Sequence, residues 1–70
     1  MKEVRISTEV ITLGQFLKLA DVIQTGGMAK WFLQEYEVYV NQEPENRRGR
    51  KLKDQDIIDI PDVGKFVVIS

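Results

Sequence analysis

Residues 47 to 53 read Arg-Arg-Gly-Arg-Lys-Leu-Lys, five cations with no acid among them, in a chain of formal net charge -1. The rest of the chain holds the other five Lys and Arg against all eleven Asp and Glu. Positive charge is thus gathered into one short segment. Such a patch attracts polyanions, and arginine forks match phosphate oxygens. A solvated basic loop has the same composition, so the run carries a function only through its setting.

Other chemistries are poorly supplied. Histidine and cysteine are both absent, which removes the commonest general base, thiolate nucleophiles, disulfides and sulfur-ligated zinc. Asp54, Asp56 and Asp59 form an acid cluster, but it lacks the turn glycine and the bidentate Glu of a calcium loop. No catalytic residue, metal ligand or cofactor is assigned. No apolar run approaches the ~20 residues of a membrane span, and Met1-Lys2-Glu3-Val4 lacks the apolar core of a secretory signal. A cytoplasmic location is the expectation. With 70 residues, 43% of them hydrophobic and 30% charged, residues 1–70 read as one small globular domain. It would bury roughly 60% of its unfolded surface and have no deep pocket.

The elements that would position the basic run follow from periodicity. Lys2 to Ser7 alternates in the manner of an edge strand, with Val4 and Ile6 on one face. Thr12 and Gln15 have capping-box spacing. The helix beginning there carries Leu13, Phe16, Leu17 and Ala20 as one stripe, widened by Leu19 and Val22. Gly26-Gly27 breaks the pattern. A second helix follows with Met28, Ala29, Phe32, Leu33 and Tyr36 inward, and Trp31 as a partly buried packing residue. Glu37 to Val40 reads as a strand leading into an Asn41-Gln42 hairpin-like turn that lacks the usual glycine. Pro44 and Gly49 limit pairing across the basic segment, which reads as an excursion between strands. Ile57 to Ile60, ended by Pro61, and Phe66 to Ile69 complete the list. The order predicts an α+β fold, a helical hairpin packed on a small bent β-sheet. Phe16, Leu17, Ala20, Ala29, Phe32, Leu33, Val38, Val40, Ile58 and Ile60 are the expected core.

Three segments, Gly26-Gly27-Met28-Ala29-Lys30-Trp31-Phe32-Leu33, Val38-Tyr39-Val40-Asn41 and Lys53-Asp54-Gln55-Asp56-Ile57-Ile58, carry a resemblance. They resemble the RNA-binding domain of the ribosomal small-subunit protein four type, the alpha-L motif. Thr12-Leu13-Gly14-Gln15 and Asn46 to Leu52 are similar to its small stand-alone bacterial YaaA-like members. The likeness covers residues 12 to 60. The chain departs from the family pattern at Gly14, where Asp is usual, at Thr25-Gly26, where Ser-Arg is usual, and at Gln42 and Gln55, where turn glycines are usual.

The resemblance implies the alpha-L fold and a non-catalytic module that recognises structured RNA, such as ribosomal RNA or a ribosome assembly particle. Its implied RNA-binding residues are Thr25, Gly26, Gly27, Lys30, Arg47, Arg48, Arg50, Lys51 and Lys53. Free amides at the glycine turn and the arginine forks suit phosphate contact, and shape-based RNA recognition relies on such contacts. Five loop contacts would give a log-affinity against log-salt slope of roughly -3.5 to -4.5. Charge reversal at Arg47, Arg48 and Arg50 is expected to abolish binding with the fold intact. Whether Lys18 joins this surface depends on the phase of the first helix relative to the loop. A monomer is expected. The competing reading is a protein-interaction adaptor without direct RNA contact, docking through its acidic faces (Glu35, Glu37, Glu43, Glu45) or the basic loop.

Overall fold

Thr12 and Gln15 start the first helix as their spacing predicts. The Gln15 backbone N–H donates to the Thr12 hydroxyl (3.2 Å), and the Thr12 N–H donates to Gln15 Oε1 (3.1 Å), completing the capping box. In the computed structural model, which describes residues 1–70, this helix, α1, spans Leu13–Leu19. It stops one turn early for the predicted stripe. Asp21 takes φ 63°, its N–H donates to the Lys18 carbonyl, and the Val22 N–H donates to that of Leu17, a Schellman ending with Asp in the usual glycine position. The chain turns away there, so Leu19 is 52% exposed and Ala20 only half-buried, against expectation, while Ile23 enters the core from the loop.

A 3₁₀ turn at Gly26–Met28 feeds α2, Ala29–Glu35. Gly14 of α1 faces Ala29 of α2, and a methyl at Gly14 would lie 3.4 Å from the Ala29 Cβ. The two helices form the predicted hairpin. Phe32 and Leu33 are buried, whereas Tyr36, just beyond the helix, and Trp31 are 38% and 51% exposed. Trp31 is therefore a surface residue and not the partly buried packing residue its position suggests.

The strands are β1 (Lys2–Arg5), β2 (Val10–Thr12), β3 (Tyr39–Val40), β4 (Glu43–Pro44), β5 (Lys51–Lys53), β6 (Ile57–Ile60) and β7 (Gly64–Ile69). Five of them make a mixed sheet in the order β1-β7-β6-β3-β4, with β1 parallel to β7 at the edge. The inward residues Val4, Val40, Ile58, Ile60, Phe66 and Val68 meet the helices, and Phe16 packs edge-on against Phe66 at 5.9 Å. Phe66 and Val68 alternate with half-exposed residues along β7, as period 2 requires.

Two strands depart from the sequence reading. The second half of the basic segment is itself a strand, β5, paired antiparallel with β2 in a separate two-stranded sheet. Pro44 does pair, opposite Tyr39, because β4 is an edge strand whose outer side needs no donor. The turn joining β3 to β4 holds Asn41 at φ 50° and Gln42 at φ 72°. Both signs are those of a type I′ hairpin, normally Asn-Gly.

Candidate functional site

The basic segment is fastened to α1 through its backbone. The Leu13 N–H donates to the Arg50 carbonyl (2.7 Å) and the Gly14 N–H to that of Arg48 (2.9 Å). With the capping box, these bonds satisfy the amides of the first turn of α1, which have no partner inside the helix. A Cβ at Gly14 would meet the Arg48 Cβ and carbonyl oxygen at 3.5 Å, an ordinary van der Waals contact, so the backbone bonds and not the missing side chain set the approach. The loop carbonyls point at the helix and the exposed Arg48 side chain is left on the outside. Along β5, Leu52 is fully buried while Lys51 and Lys53 face outward together. Strand alternation thus turns two adjacent loop cations to one face.

The five cations are not equivalent. The side chain of Glu45 is only 6% exposed, and its carboxylate accepts from Arg47 Nε (2.9 Å), Arg47 Nη2 (3.0 Å), the Arg47 backbone N–H (3.1 Å) and Arg50 Nη1 (2.8 Å). The Arg47 fork dominates, and although burial opposes ionisation, these bonds hold the Glu45 carboxyl at a pKa of about 2. Lys53 Nζ lies 3.6 Å from Asp56 Oδ1 with its side chain 74% exposed, a weak pair. Lys18, Lys30, Arg48 and Lys51 form no ion pair. All four except the strand residue Lys51 stand on or beside the helical hairpin.

Asp56 secures the other end of the segment. Burial works against its ionised form, but the Asn41 side-chain amide (3.0 Å), the Lys53 backbone N–H (2.9 Å) and the Lys53 charge outweigh it, so its pKa falls below the ordinary value. Asn41 Oδ1 in turn accepts the Ile57 N–H at 2.9 Å. Asp56 therefore ties the turn before β6 to the β3–β4 hairpin. Asp54 accepts the Ser70 N–H (2.8 Å), and Asp59 lies opposite Lys65 in the ladder. The three aspartates of the sequence cluster thus serve three different neighbours.

At the other side of the hairpin, the Met28 N–H donates to the Thr25 carbonyl at 3.1 Å and the Ala29 N–H to that of Gly26. Those bonds use the turn's later amides and leave the N–H groups of Gly26 and Gly27 outside its hydrogen bonding. The Thr25 hydroxyl caps nothing. Gly26, Lys18, Gln15, Arg48 and Gly49 line one shallow groove of about 420 Å³ with Gly14 at its base. The glycine turn and the first half of the basic loop, 22 positions apart at Gly26 and Arg48, are thereby neighbours. Lys30 is exposed on the adjoining turn of α2. Lys18 is the residue the sequence left open; its signal was its position one turn after Gly14 and Gln15, both of which face the loop. Lys51 and Lys53 do not line the groove.

Two likenesses place the chain among known proteins. The protein-family model described as S4 domain matches residues 4–69. A protein of Bacillus subtilis (strain 168) named "Probable ribosome maturation protein RlbA" is 66% identical over 67 residues, covering 96% of this chain and 94% of that one. No solved structure matches. With two helices packed on a mixed sheet, a family match over nearly the whole chain and a relative of nearly the same length, the protein belongs to the S4 domain family.

Proposed function

We propose that this protein is a non-catalytic RNA-binding module acting in ribosome biogenesis, and that it works as a monomer in the cytoplasm. The S4 family membership supports RNA binding, and the name of the B. subtilis relative supports a role in ribosome maturation. RNA contact is assigned to the groove lined by Gly26 and Arg48, to Thr25, Gly27 and Lys30 beside it, and to Arg47, Arg50, Lys51 and Lys53 along the basic segment. The single observation that carries the reading is the fastening of Arg48 and Arg50 to α1. It holds a cationic loop beside a turn with free amides, so a phosphate backbone crossing the helical hairpin meets donors already in position.

Within this surface the unpaired cations Lys30, Arg48 and Lys51 give the strongest phosphate contacts, because Arg47 and Arg50 already share a carboxylate. Arg47 keeps its side chain 73% exposed and contributes through its outer nitrogen. No residue is assigned to bond making or breaking.

The test is crosslinking in cells followed by sequencing of the bound RNA, with co-sedimentation of the protein on gradients before and after nuclease treatment. Enrichment of ribosomal RNA and loss of the heavy-fraction protein after nuclease are the expected results. Retention in heavy fractions after full RNA digestion, with no crosslinked RNA, would contradict the proposal and favour the adaptor reading.

A further inference from the structure

We propose that the groove between the C-terminal end of α2 and the β3–β4 hairpin is a docking surface for an extended, arginine- and lysine-bearing segment of a protein partner. From Trp31 to Asn46 the chain has four Glu and no Lys or Arg. That stretch folds into an open groove of about 450 Å³. Leu33, Tyr36, Val38 and Pro44 form its apolar part, and Glu35 and Glu37 line it as acids.

The acids in and around the groove are not all available. Glu45 is engaged by Arg47 and Arg50. Glu35, Glu37 and Glu43 have no cationic partner. Glu37 accepts the Tyr39 hydroxyl at 3.1 Å, which fixes a carboxylate at the rim and keeps its other oxygen open.

Aromatic surface adjoins these acids. Tyr36 stacks on the buried Phe32 at 4.5 Å and 19°, and the half-exposed Trp31 meets Tyr36 edge-on at 6.2 Å. An aromatic face backed by the core, beside free carboxylates, suits a guanidinium or ammonium through cation–π and ionic contact. The same carboxylates repel a phosphate backbone. The groove is thus opposite in charge preference to the surface that carries Arg48, and the inference stands independently of RNA binding there.

Trp31 is the one tryptophan in the chain and meets the groove residue Tyr36 edge-on, so its emission senses the groove through that contact. The full-length protein is titrated with a synthetic peptide of alternating arginine and alanine, with the glutamate-for-arginine peptide, and with a short single-stranded RNA. The expected result is a saturable emission shift with the arginine peptide, none with the glutamate peptide, and a peptide shift that persists when the RNA is already bound. Glu35→Gln/Glu37→Gln, which preserves side-chain shape, should weaken that binding about tenfold or more, whereas Arg48→Glu should leave it unchanged. Absence of a saturable shift, equal affinity in the double glutamine variant, an equal shift from the glutamate peptide, or loss of peptide binding in the presence of saturating RNA overturns the proposal. So does a shift explained by dissociation of a second copy of the chain, read as a change in sedimentation.

Discussion

Glu45 and Asp56 are the two buried carboxylates of the molecule, and they stand at opposite ends of the same basic segment. Asp56 takes a backbone N–H and a side-chain amide, so it sets the path of the chain. Glu45 takes two arginine side chains, so it sets how much of the loop's charge is free. A basic run read only as a count of cations hides this difference. One buried acid shapes the loop and the other tunes its electrostatics.

The largest effect should come from Asp56→Ala. It strands the Lys53 N–H and the Asn41 amide in a partly buried site, at a cost of about 3 kcal/mol, seen as a lowered melting temperature in calorimetry. Glu45→Gln should cost somewhat less, about 2 kcal/mol, because Arg47 and Arg50 can turn to water. It should also release two cations and steepen the salt dependence of RNA affinity by about 1 to 2 in slope. If Asp56→Ala steepened that slope as much as Glu45→Gln, the division of roles would be wrong.

Acid should separate the same pair in another way. The folded-state pKa of Glu45, about 2, lies below its ordinary 4.5, so its stabilisation is fully present above about pH 4.5 and is lost as pH falls towards 2. Asp56 is depressed too and adds in the same direction as pH falls through its ordinary value of 3.8. Melting temperature followed from pH 6 to about 2 should fall less steeply for Glu45→Gln than for the parent.

Smaller effects are expected at the turns that these acids brace. Gln42 and Gln55 have φ of 72° and 73°, a region costly for a side chain with Cβ. Gln42→Gly and Gln55→Gly should each raise stability by up to about 1 kcal/mol, measurable by urea denaturation. Lys2→Ala, on the far edge strand, should change stability by less than about 0.5 kcal/mol and leave RNA affinity as it was.

Strong local patterns made much of this legible in the sequence. Thr12 with Gln15, the Phe16–Leu17 and Phe32–Leu33 stripes and the Ile57–Ile60 strand all appear where their spacing puts them, because each is determined within one turn or one pleat. The β2–β5 pairing was not legible. Val10–Thr12 is three residues long, and its partner Leu52 is the only apolar residue among the loop cations, so neither shows a period. Leu19 and Trp31 were misjudged because helix phase alone does not reveal where the helix ends or what covers its flank. The Glu45 cluster joins residues two and five apart through a curled loop, a geometry with no periodic signature. The S4 resemblance pointed to the loop as a whole but carried no information on which of its cations are free.

The most direct measurement is fluorescence anisotropy of a labelled structured RNA titrated with the parent and with Arg48→Glu/Lys51→Glu across a salt series. Arg47 and Arg50 are kept, since reversing them would set new carboxylates against the buried Glu45 and confuse lost binding with lost structure. With Lys30, Arg48 and Lys51 as the principal contacts, the parent slope should be roughly -2 to -3. The double variant should bind at least about tenfold more weakly at ~0.1 M salt, with unchanged circular dichroism. A parent slope of -3.5 or steeper would put Arg47 and Arg50 among the full contacts, and a double variant that binds as tightly as the parent would contradict the assignment of RNA binding to this face.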